Sequence, residues 1–216
     1  EIGDYKVGLK FFHKTLQIYR QIFGEKHPNI AFVLDNLATT YYYNDQFSTA
    51  LYYYQQALTN LYPNYNNAVY LHNPLLDECS STTVLLDVFT HKAQTLYRKS
   101  VQASNIIPVQ LLASYTTYHL AIQIIDQIRC NYQAEDSKLI LAETAKAVYD
   151  QAILVAWQIH CLLQNTYCKT KLETAFYQLK QINSHYPLPE PIDAIRFAFK
   201  KKKKNKATLL FTIIKD

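Results

Sequence analysis

The chain has 216 residues, 49% of them hydrophobic, with three Gly and seven Pro. That is enough for one large core or a row of small repeats, and so few turn formers exclude a β-rich fold in favour of long helices with short connections. The net charge of +5 is local, since Lys200 to Lys204 and Lys206 carry six positive charges and the remainder sums to −1, which removes any whole-surface argument for nucleic acid.

Residues 4–23 read as a helix. Tyr5, Leu9, Phe12, Leu16 and Tyr19 form one apolar stripe at helical spacing. Gly24 is placed to end it, and Pro28 to open the next. The second helix covers 29–43, with Val33, Leu34, Leu37, Ala38 and Tyr41 on one side. Asn44-Asp45 is a short turn, and 46–61 is the antiparallel partner. Ala38, Ala50 and Ala57 allow close approach of the two backbones, while Leu34, Leu37, Tyr41, Phe47 and Tyr54 fill the space around them.

Residues 62–79 break this order. Pro63, the Asn-rich run Asn64 to Asn67, and Asn73-Pro74 predict a long loop or a short extra turn. A helix over 80–101 follows, started by Ser80 and Ser81 and carrying Leu85, Val88, Phe89, Lys92, Ala93 and Leu96. Further helices are expected from Pro108 to about Tyr132, over 135–164 and over 171–184. Pro187-Leu188-Pro189-Glu190-Pro191 predicts a stiff link, and a last helix is expected over about 191–213. The resulting division is 1–61, an irregular connection 62–79, further hairpins 80–186, and a terminal link and helix 187–216.

A repeat underlies the first part. Gly3-Asp4-Tyr5, Gly8, Phe12, Thr15 and Leu16 recur as Asp45-Gln46-Phe47, Ala50, Tyr54, Ala57 and Leu58, each 42 positions on. A fixed period of this size predicts stacked helical hairpins and a protein that binds other proteins rather than one that does chemistry. The nineteen Tyr suit such a thin layered array, because the ring packs while the hydroxyl stays wet. The absence of Met, and a start partway through a repeat, predict a piece of a longer chain.

Candidate chemistry is sparse. Cys79, Cys130, Cys161 and Cys168 are far apart, without a C-x-x-C or a paired His, and read as reduced thiols, mostly in the core, of a cytoplasmic protein. His160 and Cys161 are neighbours on a helix and diverge by about 100°, which is poor for a nucleophile–base dyad. The seven His are dispersed with no i, i+4 pair, so no metal site and no other cofactor is expected. The lysine run lacks aromatic interleaving and reads as a solvated helix turn or a frayed linker, or as an electrostatic anchor for acidic protein or nucleic acid. No catalytic residue, small-molecule substrate or membrane span is expected, and nucleic acid is disfavoured.

The motifs Leu37-Ala38, Tyr41, Ala50, Tyr54 and Ala57 resemble the tetratricopeptide repeat. Gly8, Phe12 and Thr15 match the second helix of a preceding, truncated copy. Phe23-Gly24-Glu25-Lys26-His27-Pro28, then Asn36-Leu37-Ala38, is similar to the variety found in kinesin light chains and in large bacterial scaffolds. The stretch Ala121–Arg129, with Glu135–Leu139, Leu141–Glu143 and Tyr149–Ile153, resembles the segment that precedes a CHAT domain, a caspase-like protease. Asn205–Leu210 resembles the helix leading into that domain. Residues 179–193 and Lys200 to Lys204 depart from that family's pattern.

The resemblance implies an all-α superhelix of three to four hairpins, the recognition and scaffold portion of a CHAT-type protein, or a free-standing peptide-binding adaptor of the kinesin-light-chain sort. In a stacked array the first helix of each hairpin lines the concave surface. Phe32, Asp35, Asn36, Thr39 and Tyr43 would then face a protein or peptide partner, joined by Asp87, His91, Gln94 and Arg98 of the helix 80–101. An Asn at the position of Asn36 is used in that family to hold extended peptides, and its amide donates and accepts at once. The same positions also read as ordinary solvated residues, with the groove filled by neighbouring helices.

Overall fold

In the computed structural model the described residues are 5–76, 79–102, 106–131, 135–184 and 188–189. They form seven α-helices: α1 (Tyr5–Phe23), α2 (Pro28–Tyr43), α3 (Phe47–Leu61), α4 (Thr82–Gln102), α5 (Pro108–Asn131), α6 (Glu135–Leu163) and α7 (Thr166–Ile182). No strand occurs among the described residues. The fold is an all-α, tetratricopeptide-like solenoid. Each helix packs on the next; α2, α4 and α6 also touch in series, as do α5 and α7. Two layers of helices thus share one continuous core.

Local chemistry sets the first boundaries. Gly24 adopts φ 80°, where only glycine escapes a Cβ penalty, and its N–H donates to the Arg20 carbonyl at 3.0 Å. Pro28 stands in the first turn of α2, and the Nδ1 of His27 accepts from the Asn29 N–H at 3.1 Å. That histidine cap is a feature the sequence did not advertise. Asp45, at φ 56°, makes the turn from α2 to α3.

Ala38, Ala50 and Ala57 are fully buried where α2 meets α3. Leu34, Leu37, Phe47 and Tyr54 are buried around them, and Tyr41 is half-buried, its ring stacked on Tyr53 at 5.3 Å. The small residues admit close backbones and the large ones fill the flanks.

Three expectations change. Helix α4 starts at Thr82, with Ser81 Oγ only 3.5 Å from the Val84 N–H, while Ser80 donates back to the Leu61 carbonyl at 3.0 Å. Ser80 therefore ties the loop to the end of α3 rather than capping α4. Helix α7 begins at Thr166, five residues before the expected 171, because Asn165 Oδ1 accepts from the Tyr167 and Cys168 N–H groups. No cysteine of the four is buried: Cys130 and Cys161 are exposed, and Cys79 and Cys168 half-buried. The expected helix 191–213, most of the proline link and the lysine run lie outside the described residues.

The described residues of the connection from Tyr62 to Ser81 contain no helix but are firmly held. Lys26 Nζ donates to the carbonyls of Tyr62 and Pro63 at 2.9 and 2.7 Å. Within the core, the wholly buried Lys92 of α4 donates to Gln55 Oε1, the His72 carbonyl and Asn73 Oδ1 at 2.8, 3.0 and 2.7 Å. Asn73 in turn donates through Nδ2 to Thr117 Oγ1, and through its backbone N–H to Asn183 Oδ1. The loop thereby joins α3, α4, α5 and the end of α7.

Candidate partner-binding face

The side-by-side packing of α2 and α4 brings the candidate residues onto neighbouring helices. Phe32 and Tyr43 stand out at 52% and 80% exposed. Arg98 is also exposed, and Gln94 half-buried. Asn36 is half-buried, and its Nδ2 donates to the Phe32 carbonyl of its own helix at 2.9 Å. Thr39 is half-buried and its hydroxyl meets the Tyr54 hydroxyl at 3.0 Å.

Asp35 differs from its sequence placement, which put it on an open surface. It is buried, and each carboxylate oxygen lies 3.0 Å from Nδ1 of His91, so both residues of this candidate pair are committed to bridging α2 and α4. An ion buried at this depth needs such a partner. Burial by itself lowers the pKa of His91, but the hydrogen bond and charge of Asp35, aided by Asp87, raise it overall. Asp87 keeps contact with solvent. Partial loss of water raises its carboxyl, the Asp35 charge adds to this, and His91 opposes it.

The sequence missed several neighbours. Tyr54 contributes its ring 6.2 Å from that of His91. Its hydroxyl is driven far above the usual tyrosine value, first by burial and then by Asp35, so it stays protonated. Thr95 Oγ1 donates to the His91 carbonyl at 2.8 Å. Tyr42 faces Arg98 from α2; burial raises its hydroxyl, and the Arg98 charge opposes that. Tyr54 was legible only as a filler of the hairpin core. Its second duty beside His91 depends on a contact with the following hairpin.

This arrangement is suited to binding. An aspartate-held imidazole also occurs in nucleophilic sites, but the hydroxyls beside this one, Thr39 and Tyr54, are bonded to each other. Among the described residues, no group of three His, Cys, Asp or Glu gathers in a metal-binding arrangement. Nor is any described helix long and apolar enough to cross a membrane.

Residues 1–62 match the tetratricopeptide repeat family. The match spans α1 to α3 and contains Phe32 through Tyr43. No curated protein and no solved structure matched the chain. Tetratricopeptide repeats serve protein–protein interaction, and the helical repeat fold is generally non-catalytic.

Proposed function

We propose that this chain is a non-catalytic scaffold that holds an extended peptide or protein segment across the α2–α4 face, which would be the concave side of the solenoid. The observation that carries the reading is the juxtaposition on α2 and α4 of two exposed aromatic rings, Phe32 and Tyr43, with the polar side chains Asp87, His91, Gln94 and Arg98. Exposed aromatic anchors beside polar hydrogen-bonding groups are the usual composition of a protein-binding surface. Asn36 contributes its amide oxygen, since its Nδ2 is already held by the Phe32 carbonyl.

The finer reading makes this chain the recognition region before a CHAT protease domain, where partner binding would bias the position of that domain. It rests on the resemblance of residues 121–153 and 205–210. The alternative is a free-standing adaptor like the kinesin light chain. Four cysteines spread along the sequence without a C-x-x-C suit a reducing compartment such as the cytoplasm.

The test is capture of partners from native cell extract by residues 1–216, beside Phe32→Ala and Arg98→Ala, with circular dichroism as the control. Partners lost in both folded variants support the face. Partners retained in both overturn it and turn attention to the opposite layer.

A further inference from the structure

We infer that His91 sets the hydrogen-bonding polarity of the α2–α4 face: Asp35 fixes the proton on Nδ1, so Nε2 is the ligand-facing atom, a donor when the ring is charged and an acceptor when it is neutral. This rests on the binding face proposed above, and it names a ligand chemistry and a control for it. When the imidazole is charged, the face takes a peptide carbonyl or carboxylate at this point; when it is neutral, the face takes a peptide N–H.

The geometry is specific. Both Asp35 oxygens lie 3.0 Å from Nδ1, and the Asp35 side chain is only 5% exposed, so the carboxylate has little water to turn to. An acceptor so placed demands a proton on Nδ1 in both the charged and the neutral ring. The His91 side chain keeps 35% of its surface open. Its contacts all run through Nδ1, the ring face or the backbone, and among the described residues Nε2 is not one of the buried unpaired atoms. It is therefore the atom left for a ligand.

The groups facing the ring are few. From α2 there is Asp35, from α3 the ring of Tyr54, and from α4 itself Asp87. Tyr54 stays neutral throughout, as its hydroxyl is raised by burial. The two carboxylates raise the pKa of His91 against its burial. The switch therefore falls above the usual histidine value of about 6.5.

Two readouts separate this inference from the reading beneath it. Histidine-selective ¹⁵N spectra of the whole chain, from about pH 5 to about pH 9, report the tautomer. The expected neutral form of His91 has Nδ1–H and a bare Nε2, and Asp35→Asn lowers its titration point. A neutral ring protonated on Nε2, or a titration unmoved in Asp35→Asn, overturns the inference. In parallel, a pool of short random peptides is captured on immobilised chain at both ends of that range. For members that place a carbonyl on His91, capture falls by up to about tenfold per pH unit above the titration point, and His91→Gln flattens the profile. The same peptides captured in equal amount at both ends by the native chain overturn the inference while the binding face stands. No capture at either end overturns the face itself, and the spectra then decide the state of His91 on their own.

Discussion

The ammonium of Lys92 donates to Oδ1 of Asn73 at 2.7 Å, deep in the core, and among the described residues no carboxylate is one of its hydrogen-bond acceptors. A cation is rarely left there without an anion. Three neutral oxygens, from Gln55, His72 and Asn73, take its three hydrogens instead. Since Asn73 continues to Thr117 and Asn183, this one side chain anchors the loop that interrupts the repeat.

Lys92→Met should destabilise the chain by about 1–3 kcal/mol at neutral pH, the cost of stranded acceptors less the relief of no longer burying a cation. Burial lowers the pKa of Lys92 well below 10.5. Between that lowered value and 10.5 the unfolded chain holds more protons than the folded one, so native stability rises with pH. Urea unfolding of both proteins across this window should show the gap widening as pH increases. A gap independent of pH would refute a buried ammonium.

The Asp35–His91 bridge predicts the opposite slope. The folded pKa of His91 is raised above 6.5, with Asp35 and Asp87 outweighing burial. Its contribution is complete below about 6.5 and is lost as pH rises through the folded value. Asp35→Asn should remove that dependence. Because His91 is about a third open to solvent, the pH-dependent part is about 1 kcal/mol or less. It is read as the difference between the two urea midpoints on either side of the transition.

Two glycines on either side of one helix boundary should respond in opposite directions. A Cβ on Gly8 would meet nothing within 4 Å, and the residue sits inside α1, so Gly8→Ala should stabilise by about 0.5–1 kcal/mol. A Cβ on Gly24 also finds open space, but φ is 80°, so Gly24→Ala should cost about 1–2 kcal/mol. Thermal unfolding checks both, and a fall in Tm for Gly8→Ala would show that the position is crowded.

Ala50 tests the hairpin contact. It is fully buried between α2 and α3. Ala50→Leu should wedge the helices apart and cost about 1–3 kcal/mol. Ser48→Leu, at an exposed position of α3, is the control and should change the unfolding midpoint little. Equal effects of the two would sink the close-packing account.

Much of the architecture was legible in the residues. The 42-residue period, the alanines at 38, 50 and 57, and the Gly24–Pro28 punctuation fix α1, α2 and α3, because each acts through local geometry or through contact between sequence neighbours. The later boundaries were less readable where a cap lay in an unexpected residue, as with Asn165 before α7. Phe32 and Tyr43 could be placed on the surface from helical phase alone, and both are exposed.

What only the tertiary structure decided are the long-range polar contacts. Lys92 falls among the apolar residues of the helix expected over 80–101, but nothing in the sequence told that Asn73 and Gln55 would converge on it. Asp35 and His91 are 56 residues apart, and each alone reads as a wet groove position. Packing of α4 against α2 buries the first and commits one nitrogen of the second. Helical periodicity encodes which way a side chain points, whereas its partner depends on how separate helices stack.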